Sequence, residues 1–130
     1  MENQENNQLG YITKEIIDND ADILKDFEKQ IIVHCFISPE IDMVVRIWPS
    51  TNLIGQNGVQ SDLIHAMNIT YAPEWTPVRA FSSKQFTLIF QALPPEVVSF
   101  ALSETMAGGN RGFYVADIQR KKSDVYKIYL

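Results

Sequence analysis

The sequence predicts an all-β domain, an immunoglobulin-like antiparallel sandwich of about seven to eight strands. Three observations predict it. Apolar and polar residues alternate in segment after segment, clusters of Gly, Pro, Asn and Ser punctuate those segments at short intervals, and helix-period patterns are few. The alternative architecture is a closed up-and-down barrel, but paired prolines and a long Pro-rich crossover count against continuous hairpins around one.

Taken in chain order, residues 1–8 are polar and read as a mobile tail, and residues 9–29 form an acidic N-terminal segment. Within it, Gly10 to Ile17 is compatible with an added edge strand. Asp20 is placed to cap a short helix over 20–27, with Ile23, Leu24 and Phe27 on one stripe. The body, residues 30–130, begins with Gln30 to Ile37, rich in β-branched and aromatic residues and ended by Ser38-Pro39. Asp42 to Trp48 alternates Met43, Val45 and Ile47 against Val44, Arg46 and Trp48.

Asn52-Leu53-Ile54 then enters a turn containing Asn57-Gly58, a strong hairpin signal, and the chain returns through Asp62 to Thr70. Tyr71 to Pro77 carries two prolines and two aromatics and reads as an extended connection from one sheet to another. Gln85 to Ala92 puts Phe86, Leu88, Phe90 and Ala92 on one face, and Leu93-Pro94-Pro95 forces the chain out of the sheet. Val97 to Ser103 groups Val98, Phe100 and Leu102, and Gly108-Gly109-Asn110-Arg111-Gly112 turns that strand into a hairpin with Phe113 to Gln119. A last strand, Val125 to Leu130, follows the polar run Arg120 to Asp124, in which Arg120-Lys121-Lys122 reads as a solvated hairpin turn.

No internal repeat or low-complexity linker interrupts the 130 residues, so a single domain over 1–130 is expected. Its formal net charge is −5, and residues 1–29 alone carry eight acids against three lysines. The final twenty residues hold five bases against two acids, so the two ends are electrostatically complementary. This balance argues against a nucleic-acid partner, because neutralising several phosphates requires a concentrated basic face. The start is polar and acidic, unlike a secretory signal, and the densest apolar run, Ile31 to Ile37, is far shorter than the ~20 residues of a membrane helix. With one cysteine, Cys35, the expectation is a cytoplasmic chain with no disulfide and no membrane partner.

Phe86-Thr87-Leu88-Ile89-Phe90, then Leu93-Pro94, then Phe100-Ala101-Leu102, resemble the later strands of small immunoglobulin-like accessory domains of uncharacterised bacterial proteins. Ile47-Trp48-Pro49-Ser50-Thr51-Asn52-Leu53 is similar to their earlier strand. The resemblance covers about a quarter of the chain. It implies a sandwich without catalytic machinery and transfers no functional residue.

No G-x-S-x-G, P-loop or dinucleotide fingerprint occurs in the sequence. His34 and Cys35 are strand neighbours whose side chains point to opposite faces, which rules out a nucleophile and base pair there, and Cys35 shares its face with Ile31, Val33 and Ile37 as a core thiol. His34 and His65 lack any spacing that demands zinc, so no metal and no cofactor are expected. Two binding features remain. The Gly108–Gly112 turn with Arg111 offers N–H groups and a guanidinium to an anion, though a plain turn explains it. Trp48, Arg46, Tyr71, Trp75 and Arg79 combine the residue types that dominate interaction hot spots, although core packing is the simpler account of both tryptophans. If Ile47 faces inward, the period turns Trp48 outward with Arg46.

The expected function is therefore a non-enzymatic binding or accessory domain acting through a protein partner or self-association. A small apolar-ligand carrier with a barrel interior is the alternative, and an enzyme with a His–carboxylate pocket the third reading.

Overall fold

The computed structural model describes residues 30–106 and 111–130. The expected tail at 1–8, edge strand at 10–17, helix at 20–27 and loop at 108–110 lie outside the described residues. What is described is all-β: β1 (Ile31–Ile37), β2 (Met43–Val45), β3 (Asn52–Gly55), β4 (Gln60–Met67), β5 (Thr76–Val78), β6 (Lys84–Phe90), β7 (Ser99–Thr105), β8 (Arg111–Gln119) and β9 (Val125–Tyr129). Seven strands form one sheet in the order β8-β7-β3-β4-β6-β1-β9, while β2 and β5 pair separately as a short ribbon.

The period-2 reading of the core holds where side chains are strictly alternate. Ile31, Val33 and Cys35 of β1 face Phe90, Leu88 and Phe86 of β6 in antiparallel register, and all six are almost wholly buried. Leu53, Phe100, Leu102 and Tyr126 join the same cluster from β3, β7 and β9. The β3–β4 hairpin forms where Asn57-Gly58 predicts it. Gly58 adopts a φ of 87°, a conformation open to glycine, and Val59 N–H donates to Asn57 Oδ1 at 3.2 Å.

The large sheet is rolled. In a flat sheet β7 and β9 would stand five strand spacings apart, about 24 Å. Instead the Phe100 and Tyr126 rings meet edge to face with centroids 5.0 Å apart. The apolar face is therefore the concave one, and the curl brings Phe100 and Tyr126 together across it.

Three expectations are corrected. The polar run Arg120 to Asp124 does not close a hairpin, because β8 and β9 occupy opposite ends of the sheet and β9 pairs with β1 in parallel. Nor is the run merely solvated: Arg120 and Asp124 side chains are only 15% and 8% exposed and form an ion pair. Val98 does not share the core face with Phe100 and Leu102. The turn in which Val97 N–H donates to Pro94 C=O delays the strand to Ser99, so Val97 is buried in its place and Val98 is 61% exposed.

Candidate functional site

The ribbon positions the site. Antiparallel register pairs Met43 with Val78, Val44 with Pro77 and Val45 with Thr76, so Arg46 and Trp75 are next across the ladder. Ile47 is fully buried, which fixes the pleat and turns Val44, Arg46 and Trp48 to the opposite side. The Arg46 guanidinium carbon lies 3.8 Å from the Trp75 ring centroid and 5.2 Å from that of Trp48. Its Nη1 donates to Pro73 C=O at 3.0 Å. Two cation–π contacts and one hydrogen bond thus hold a tryptophan–arginine–tryptophan ladder in place.

Around this ladder the surface is apolar. Trp75 is 52% exposed and Val44 51%, with Ile41 and Phe81 higher still. Phe81 has a φ of 60°, an outlier for a bulky aromatic. Ala80 N–H donates to Asp42 Oδ1 and Phe81 N–H to Pro39 C=O, which brings the Phe81 turn beside the Ile41 segment.

Behind the ladder sits a carboxylate. Glu104, 6% exposed, accepts Trp48 N–H on Oε2 at 3.3 Å and Phe113 N–H on Oε1 at 3.4 Å. Gly112 makes the room, since a Cβ there would overlap the carboxylate. Burial raises the Glu104 carboxyl above its ordinary 4.5, outweighing the two N–H donors and the attraction of Arg46. A carboxyl whose folded pKa is raised stabilises the fold in its protonated form, and that stability is lost as pH rises through the folded value. The midpoint difference between wild type and Glu104→Gln in denaturant should therefore move in favour of wild type as pH falls from 7 toward 4.5, and level off below. A pH-independent difference would contradict this.

The structure thus gathers Arg46, Trp48 and Trp75: Trp75 is exposed and Trp48 half-buried, and neither belongs to the buried core cluster. The register of β2 against β5 brings the segments that carry them together. Tyr71 turns the other way, packs against the core and accepts Ala66 N–H on its hydroxyl at 3.0 Å. Arg79 is exposed at the end of β5, where its carbonyl accepts from Ser82. Arg111 opens β8, and its side chain lies outside the described residues.

The remaining polar candidates do not converge. His34 Nδ1 lies 2.8 Å from Thr87 Oγ1, while His65 is exposed on β4. Among the described residues no three His, Cys, Asp or Glu side chains are grouped to hold a metal ion. Cys35 is buried, and desolvation pushes its thiol up to about 12, the behaviour of an inert core sulfur.

Sequence reasoning missed Arg120. Its Nε and Nη2 grip Asp124 at 2.6 and 3.1 Å, while Nη1 and Nη2 donate to the carbonyls of Leu93, Pro94 and Val97 at 2.9 to 3.0 Å. Tyr126 Oη donates to Asp124 Oδ1 and accepts Lys121 N–H. An open groove of about 450 Å³ lies over this clasp, with Val98, Lys121 and Lys122 on its walls. With Arg120 fully engaged, the groove's basic character comes from the two lysines.

Comparison of the chain with family models, with curated proteins and with solved structures finds no match.

Proposed function

We propose that this chain is a non-enzymatic binding or accessory domain of β-sandwich type that engages a protein partner on the outer face of the β2–β5 ribbon. One observation carries the reading: Ile41, Val44, Trp75 and Phe81 are all at least half exposed on one short ribbon and its adjoining turns. Single exposed apolar residues are ordinary on a soluble surface, whereas a cluster of them marks a contact. Arg46, pinned between Trp48 and Trp75, adds the residue types over-represented at binding hot spots. The sandwich assignment, and the resemblance to immunoglobulin-like accessory domains, draw support from the way the rolled sheet brings β7 against β9.

The carrier alternative requires an empty interior, and Ile31, Leu53, Phe86, Leu88, Phe90, Leu102 and Tyr126 pack together there.

The test places a benzophenone amino acid at position 81, with a control at Gln119, and irradiates cells producing the full chain. The expected result is a discrete protein adduct, to this chain or another, at position 81 only, and its loss on Trp75→Ala. Absence of any adduct, or equal labelling at both positions, would overturn the proposal.

A further inference from the structure

The ribbon has one closed edge and one open edge. Pro77 has no N–H, so the Val44–Pro77 pair must be one that exchanges no hydrogen bonds, and the ladder bonds run from Met43 to Val78 and from Val45 to Thr76. The outward edge of β5 is then blunted at Pro77, a position typical of protected sheet edges. On β2 the consequence is the reverse. The N–H and C=O of Val44, and by the same alternation those of Asp42 and Arg46, point away from β5, to a side where β2 has no partner strand among the described residues.

The sequence along that edge is complementary to itself. Laid antiparallel against a second copy about Val44, Asp42 falls opposite Arg46 of the other copy and Arg46 opposite its Asp42, while Met43 meets Val45. Acid meets base twice, and the apolar positions between them meet each other. The outward backbone groups of residues 42, 44 and 46 also come into the phase that an antiparallel ladder requires. Neither charge is used up within the chain: Asp42 uses Oδ1 for Ala80 N–H, and Arg46 uses Nη1 for Pro73 C=O. Val44, at the dyad position, is 51% exposed.

We infer that a second copy of this chain is the partner, and that two chains join through β2 in a two-fold symmetric, antiparallel pair that fuses their ribbons into one four-stranded sheet. The inference rests on reading the ribbon as a binding surface, and adds the occupant. A two-fold pairing of this kind is self-limiting, because each copy offers the same edge and the contact closes on itself.

Sedimentation or light scattering across a concentration series tests it. Wild type should reach twice the 14.8 kDa of one chain. Asp42→Arg places Arg opposite Arg at both ends of the pair, and Arg46→Asp places Asp opposite Asp, so each variant alone should dissociate roughly tenfold to a hundredfold more readily. An equimolar mixture of the two should dimerise again, since every pair is then Arg opposite Asp; this also shows that both variants are folded. Raising salt should weaken wild type and mixture alike. A mixture that stays monomeric, or single variants as dimeric as wild type, would overturn the β2 pairing. A monomeric wild type that still gives an adduct to another protein at position 81 overturns the dimer and leaves the binding-domain reading standing. A monomer with no adduct overturns both.

Discussion

Arg120→Ala should cost the fold about 3 kcal/mol, an effect on the scale of breaking a largely buried charge pair, with a fall in melting temperature of roughly 10 °C. The loss goes beyond one ion pair. Removing the guanidinium leaves the Asp124 carboxylate, which is 8% exposed, without its cation, frees the carbonyls of Leu93 and Val97, and takes one of two donors from that of Pro94, in a segment whose prolines leave it outside any ladder. Asp124 also holds β1 through the bond from Ile32 N–H to its C=O, so the clasp ties both ends of the rolled sheet together. Arg120→Lys should recover less than half of the loss, because an ammonium cannot reproduce the forked geometry. Asp124→Asn keeps a residue type that tolerates the φ of 55° there, and should isolate the charge from the backbone. A chemical denaturation curve for Arg120→Ala within about 0.5 kcal/mol of wild type, the range of an ordinary surface change, would refute the clasp.

That clasp was hidden in the sequence for a physical reason. Alternation tells which face a strand residue takes, and so Phe86, Leu88 and Phe90, or Ile31, Val33 and Cys35, could be placed inward from their own neighbours alone. It does not tell which strands lie side by side. The parallel β1–β9 pair and the position of β6 between β4 and β1 depend on contacts far apart in the chain. Arg120 reads as a solvated turn residue because its acceptors lie 23 to 27 positions upstream. One signal was available: Leu93-Pro94-Pro95 leaves the sheet with carbonyls that need donors, and a guanidinium with an acid four residues on can supply them.

The candidate site divides along the same line. Ile47 inward forces Arg46 and Trp48 outward, a local inference that the structure repeats. Trp75 sits between two prolines that break the period, and its approach to Arg46 follows from a register between β2 and β5 that no local pattern specifies. Glu104 was within reach. Continuing the inward face of Phe100 and Leu102 by two residues lands on it, and a strand ended at Ser103 stops one residue short.

Gly112→Ala should be far more damaging than a glycine-to-alanine change in an ordinary strand, costing about 2 to 3 kcal/mol. The added Cβ would occupy the space of the Glu104 carboxylate, whose Oε1, Cδ and Cγ all lie within contact distance of it. Glu104 cannot simply swing aside, since leaving strands the Trp48 and Phe113 N–H groups it now satisfies. The coupling is what makes the prediction specific. In a Glu104→Ala background the obstacle is gone, so the same Gly112→Ala substitution should cost less than about 1 kcal/mol, a non-additivity of the size expected for residues in direct contact. Because Trp48 N–H is one of the two donors, displacing Glu104 should also loosen the tryptophan–arginine ladder, and the fluorescence of Trp48 and Trp75 should shift in the Gly112→Ala single variant. Additive costs in the double variant, with unchanged tryptophan emission, would mean that Glu104 does not brace the ribbon.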